Sequence, residues 1–142
     1  MKKIFLVLSL CLFNYVFSQI GVFDIGIKTF DEVKNSESIA PCEVTLDKNL
    51  TYCVQNGSYL SYTFENKVLN GIITMDACSS QYAAERKLED EISREKSSLG
   101  IEPSVINGKT YFRADYSPII IAYSVAYLKQ TYFMVCGVFK RM

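Results

Sequence analysis

The stretch IIIAYSVAYLKQTYFMVCGVFK, residues 119–140, decides the fold. Its first ten residues are β-branched, aromatic or small and apolar, interrupted only at Ser124, and its last ten repeat that character after Lys129-Gln130. Two such runs joined by a polar pair read as a long β-hairpin. An arm that is apolar on both faces belongs in the middle of a sheet, while Lys129 and Lys140 mark solvent-exposed ends. Alternation places Tyr123, Val125 and Tyr127 on one face of the first arm and Ala122, Ser124 and Ala126 on the other. Ser117-Pro118 breaks the strand in front of it.

Working outward, three Asn-Gly pairs punctuate the chain: Asn56-Gly57, Asn70-Gly71 and Asn107-Gly108. Each signals a hairpin, because a type I′ turn needs positive φ at both central residues and Asn and Gly tolerate it best. The first lies between strand-like residues 51–54 and 59–64, the second precedes a strand at 72–75, and the third joins 104–106 to 109–114. Between these groups residues 79–99 form the one clear helix. Ser79 or Ser80 caps its start, and Gly100 followed by Pro103 ends it. Ala84, Leu88, Ile92 and Leu99 form a narrow apolar stripe. Glu85, Arg86, Lys87, Glu89, Asp90, Glu91, Arg94, Glu95 and Lys96 read as a solvated back stitched by pairs such as Asp90 with Arg94, a plainer reading than a docking surface. The expected fold is α+β: an antiparallel sheet built from hairpins with one main helix, residues 79–99, packed on one face. No internal repeat of 20 to 50 residues is present in the sequence. Residues 51–142 form the domain, and residues 19–50, with weak periodicity, form an irregular N-terminal extension with room for a short strand or helix.

The chain starts with Lys2-Lys3, an apolar run over residues 4–17, and Val16-Phe17-Ser18. That is the pattern of a secretory signal peptide over residues 1–18, cleaved after Ser18. The run is shorter than the roughly 20 residues a stable membrane anchor needs, so no membrane span is expected. Leu10 precedes Cys11 where a lipidation signal needs a small residue, so no lipid anchor is expected either. The expected product is periplasmic or secreted.

Removing residues 1–18 leaves 124 residues with 13 basic and 15 acidic side chains, a formal charge of −2. One domain fits that length. The cations are scattered among acids, so no nucleic-acid partner is implied. Cys42, Cys53, Cys78 and Cys136 remain, an even number that reads in an exported chain as two disulfides. Pairing of Cys42 with Cys53 and of Cys78 with Cys136 is favoured over the other two arrangements by the closeness of the first pair. Structural zinc favours closely spaced ligand pairs, which this set lacks.

The chain has no histidine. That removes the usual base near neutral pH, the Ser-His and Cys-His nucleophile systems and the commonest metal ligand. Carboxylate chemistry remains possible, since two suitably spaced carboxyl groups can hydrolyse a glycoside; Asp76 and Asp115 lie beside strand ends, where turn or helix-start hydrogen bonding is the plainer role. No phosphate loop, EF-hand loop or dinucleotide fingerprint is present, and no cofactor is expected. The nine tyrosines past residue 18 are the remaining binding candidates, because tyrosine offers wide amphipathic contact at low entropic cost. Ring packing is the plainer reading for strand tyrosines, and a partner-gripping surface at Tyr123, Tyr127 and Tyr132 is the alternative. Asn49-Leu50-Thr51 and Asn56-Gly57-Ser58 match the glycosylation sequon, which has meaning only in a eukaryotic secretory pathway.

The order of a hairpin at Asn56-Gly57, a strand at 72–75, a charged helix at 79–99, a hairpin at Asn107-Gly108 and a closing hairpin over 119–140 resembles the PsbP-like fold. The resemblance covers residues 51–140 and rests on element order. It implies an antiparallel sheet with helical cover and a non-catalytic accessory or binding role. The chain departs from it in lacking a lipidated cysteine and in carrying four cysteines that are no hallmark of the family. The function expected is that of an exported, non-enzymatic binding or accessory protein of the bacterial envelope with a protein partner. An immunity protein that neutralises a toxin in the periplasm is one form of it. A carboxylate-dependent glycan or wall hydrolase is the rival from another class.

Overall fold

Strands β7 (Ile119–Leu128) and β8 (Thr131–Lys140) pair antiparallel without a break, from Ile119 opposite Lys140 to Leu128 opposite Thr131. They belong to a computed structural model that describes residues 20–115 and 117–141. The expected signal peptide, its cleavage point after Ser18 and Gln19 lie outside the described residues. Ahead of the hairpin come a 3-10 turn (Val22–Asp24), helix α1 (Phe30–Ser36), strands β1 (Glu43–Thr45), β2 (Asn49–Cys53), β3 (Tyr59–Glu65) and β4 (Val68–Cys78), helix α2 (Gln81–Leu99), and strands β5 (Ser104–Ile106) and β6 (Lys109–Phe112).

All eight strands form one antiparallel sheet in the order β1-β2-β3-β4-β8-β7-β6-β5. It is two four-stranded meanders that meet where β4 pairs with β8, each meander preceded by its own helix. The last hairpin is therefore central, as its two-sided apolar character requires. Register assigns one face of the sheet to Leu60, Tyr62, Ile72, Thr74, Cys136, Val138, Ile121, Tyr123, Thr110 and Phe112, and both helices lie there. One buried cluster groups α1 residues Phe30 and Val33 with Leu50, Tyr52, Leu60, Tyr62 and Ile72. The other sets Leu88, Ile92 and Leu99 of α2 against Phe112, Ile121, Tyr123, Met134 and Val138. Ile25 touches both clusters and joins them into one core.

Helix α2 keeps the expected limits. The Ser80 hydroxyl accepts from the Ala83 N–H, and Gly100 closes the helix at φ 66°. Its stripe differs in one position: Glu95, expected on the solvated back, is 2% exposed and faces the sheet. Arg94 pairs with Glu91 at 3.0 Å, in place of the expected partner Asp90.

Asn70-Gly71 is not a turn: the β3–β4 turn is Asn66-Lys67, both at positive φ, and Asn70 falls at a bulge inside β4, between the pairs Gly71 with Thr63 and Leu69 with Phe64. Gly71 is there for space. A Cβ on it would stand 2.5 Å from the Phe139 ring and 2.6 Å from the Thr63 hydroxyl. Nor is the stretch expected as an irregular extension, residues 19–50, outside the domain. From Ile20 onward it is built in: Ile20, Phe30, Val33 and Leu50 are core residues, and the Phe30 N–H reaches the Lys67 carbonyl while Leu69 N–H reaches that of Lys28. Helix α1 starts in a capping box, Thr29 with Glu32, whose bonds hold the Glu32 carboxyl below its ordinary range.

Edge strand β1 is pinned by the disulfide Cys42–Cys53, with 5.9 Å between the Cα atoms. The second expected bridge does not form, and Cys78 and Cys136 are thiols. Cys136 lies opposite Thr74, four residues along β4 from Cys78. Four residues of strand span about 13 Å, well beyond the roughly 7 Å over which two Cα atoms can be bridged.

Candidate functional site

The tip of the β7–β8 hairpin brings two of the three candidate tyrosines together. Tyr127 and Tyr132 are direct cross-strand partners, and their rings meet at 4.5 Å between centroids with a 41° tilt. Tyr127 is 58% exposed and its neighbour Leu128 is 50% exposed. Tyr132 also faces Cys78 at the end of β4, three residues before α2 begins, so the exposed Tyr82 in the first turn of α2 stands at the same end of the fold. On the opposite face of the tip, Tyr59 packs on Phe133 at 5.7 Å, and the Lys129 ammonium lies over the Tyr59 ring at 5.7 Å. The turn itself is strained: Lys129 and Gln130 sit at φ 49° and 62°, a left-handed conformation that costs a side-chain-bearing residue about 1–2 kcal/mol. Strain of this kind collects at functional sites.

Tyr123, the third candidate, is not part of that surface. It is 1% exposed, packs edge-on against Phe112 at 6.1 Å, and its hydroxyl bonds the Glu95 carboxyl. Alternation correctly puts Tyr123 and Tyr127 on one face, but α2 covers the first and leaves the second exposed. Glu95 therefore sits beneath the helix with one partner on the sheet, and its Oε1 has none among the described residues. Desolvation is the main cause that pushes its pKa up from the ordinary 4.5 to about 7; the Tyr123 hydroxyl pulls the other way, Glu91 raises it further and Arg94 lowers it. A second buried polar atom without a partner among the described residues, the Tyr52 hydroxyl, lies in the α1 cluster, where desolvation raises its pKa to about 12.

The carboxylates singled out for hydrolysis are placed otherwise. Asp76 on β4 takes the Lys87 ammonium at 2.7 Å and so ties α2 to the sheet. Asp115 lends its backbone carbonyl to Arg141. Among the described residues no group of three or more His, Cys, Asp or Glu side chains is arranged to hold a metal ion, and no helix is long and apolar enough to cross a membrane.

No family model, curated protein or solved structure matches the chain. The site must therefore be read from its own chemistry. What the hairpin tip offers is aromatic area on a short two-residue turn, with the Cys78 thiol opposite Tyr132 and, among the described residues, no metal-binding cluster. Of the three candidate tyrosines, Tyr127 and Tyr132 stand together at the tip; Glu95 was assigned to the solvated back of the helix, although positions 88, 92, 95 and 99 complete a helical stripe.

Proposed function

We propose that this chain is an exported, non-enzymatic protein of the bacterial envelope that binds a protein partner through the β7–β8 tip. The observation that carries the proposal is the ring pair Tyr127–Tyr132, with Tyr127 exposed and Tyr132 half-buried, beside exposed Leu128 on a turn held in a strained conformation. Tyrosines held rigid by stacking lose little freedom on binding, and such residues commonly dominate interface energetics at 2 kcal/mol or more each. Export rests on the basic, apolar and small-residue start of the sequence, and the Cys42–Cys53 disulfide suits an oxidising compartment. A non-catalytic accessory role is also what the PsbP-like resemblance implies. Affinity capture from an envelope extract tests it, with the wild-type protein compared against Tyr127→Ser/Tyr132→Ser. A partner recovered at least tenfold more strongly by the wild type supports the reading. Equal recovery, or none with either protein, overturns it.

A further inference from the structure

The two halves of α2 are held to the sheet differently. The first is fixed: the Ser80 hydroxyl caps it, Ala84 is buried, and the Lys87 ammonium takes the Asp76 carboxylate of β4 at 2.7 Å. From Glu91 to Leu99 the fastening is slighter. Ile92 and Leu99 are half-buried, and the one fully buried side chain is that of Glu95. Gly100 then turns the chain where a Cβ would meet nothing within 4 Å, and the next element is β5, an edge strand that pairs only with β6 and is exposed throughout. The second half of α2 can therefore leave the sheet without breaking any strand pairing.

Protonated, the Glu95 carboxyl is a neutral group that such a site holds readily. Ionised, it is a buried charge with the Tyr123 hydroxyl on one side and no partner for Oε1 among the described residues, a state that burial disfavours strongly. Nothing under the helix compensates it. Register turns Asp76 and Cys78 of β4, Tyr132 and Cys136 of β8, and Tyr123 and Tyr127 of β7 toward α2, and none of these is a cation at neutral pH; β6 adds Thr110 and Phe112, which do not titrate there. The 3-10 turn that lends Val22 to the same cluster carries Asp24, another acid. On α2 itself the nearby charges are Glu91 and Arg94, which pair with each other at 3.0 Å, and Lys96 is taken by Glu102 at 2.8 Å.

We propose that residues 91–99 are a pH-operated latch, seated on the sheet while Glu95 keeps its proton and released, with all eight strands in place, as that proton passes to solvent. Off the sheet, so short a segment does not stay helical in water, so release unwinds it and uncovers the rings of Phe112 and Tyr123. A released Glu95 titrates at the ordinary 4.5, against about 7 when seated. Release therefore becomes about tenfold more frequent per pH unit between 5 and 7 and levels off above, roughly 70-fold in all from pH 5 to 8. The first half of α2, with Tyr82, stays where it is, so the latch and the partner binding proposed above can fail separately.

Backbone amide hydrogen exchange, followed by NMR on the protein as exported and corrected at each pH for the intrinsic exchange rate, tests the latch. Between pH 5 and 8 the protection of residues 92–99 should fall roughly 70-fold and level off above 7, while the amides of the β4–β8 ladder stay at least about tenfold better protected throughout. In Glu95→Gln the protection of residues 92–99 should hold within about twofold over the same range. Tyr123→Phe removes the hydrogen bond that favours the ionised carboxyl, so its fall should continue past the pH at which the wild type levels off. Protection of residues 92–99 that is flat in the wild type, that equals that of the β4–β8 ladder, or that falls undiminished in Glu95→Gln overturns the proposal.

Discussion

Glu95→Gln removes the one carboxyl that the fold buries between α2 and the sheet while keeping its shape. In the folded chain that carboxyl titrates at about 7, against an ordinary 4.5. The folded state therefore holds a proton that the unfolded state has released over that interval, so the stability Glu95 contributes is present below about pH 4.5 and is lost as pH rises through 7. About 2.5 pH units at 1.36 kcal/mol each give a loss of roughly 3 kcal/mol. In a domain of this size 1 kcal/mol moves the melting temperature by about 3–5 °C, so the change is on the order of 10 °C. Other groups titrate in the same range, and the variant cancels them. Thermal melts of both proteins from pH 4.5 to 8 should show the wild type losing about 10 °C relative to Glu95→Gln. A difference that stays constant across that range would show Glu95 to be solvated or already ionised in the fold, and the packing described for α2 would be wrong.

Other substitutions probe separate parts of the structure. Leu88→Asp should destabilise strongly, by about 3 kcal/mol or more, since it puts a charge against the sheet, while Glu89→Ala should change stability by less than about 0.5 kcal/mol; equal denaturation midpoints for the two would refute the stripe. Gly71→Ala should cost about 1–3 kcal/mol through the collision with Phe139 and Thr63. Replacing Lys129-Gln130 by Asn-Gly should stabilise the hairpin by about 1 kcal/mol, because the new residues accept positive φ; urea titration reads it. Alkylation followed by mass spectrometry should find Cys42 and Cys53 protected, Cys78 reactive in the native state, and Cys136, 3% exposed, reactive only after unfolding. Reducing the 42–53 bridge should cost about 3 kcal/mol from loop closure.

What could be read in the sequence was whatever local periodicity settles. The β7–β8 hairpin and α2 stand where their patterns put them, since ten-residue apolar strands and a capped nineteen-residue amphipathic helix have no competing reading. Asn107-Gly108 makes its turn for the same reason. The β3–β4 turn was hidden because Asn66-Lys67 carries a weaker local signal than Asn70-Gly71, four residues on, and a glycine needed for the flat seat of Phe139 looks in sequence like a glycine needed for φ. The segment before β1 was hidden because its place depends on distant partners, the Lys67 carbonyl and the Leu69 amide among them, although Thr29 and Glu32 carried a legible capping box. At the site, alternation could pair Tyr123 with Tyr127 but could not say which of the two α2 covers. That single tertiary fact buries one ring against Glu95 and leaves the other in solvent.

The claim that the hairpin tip binds a protein is tested most directly by replacing Tyr127 with the photoreactive p-benzoylphenylalanine and irradiating intact cells that export the protein, with the same replacement at the exposed Lys34 of α1 as the control. A discrete covalent adduct of one mass from position 127, and none from position 34, is the predicted result. No adduct from position 127, or the same adducts from both positions, would contradict it.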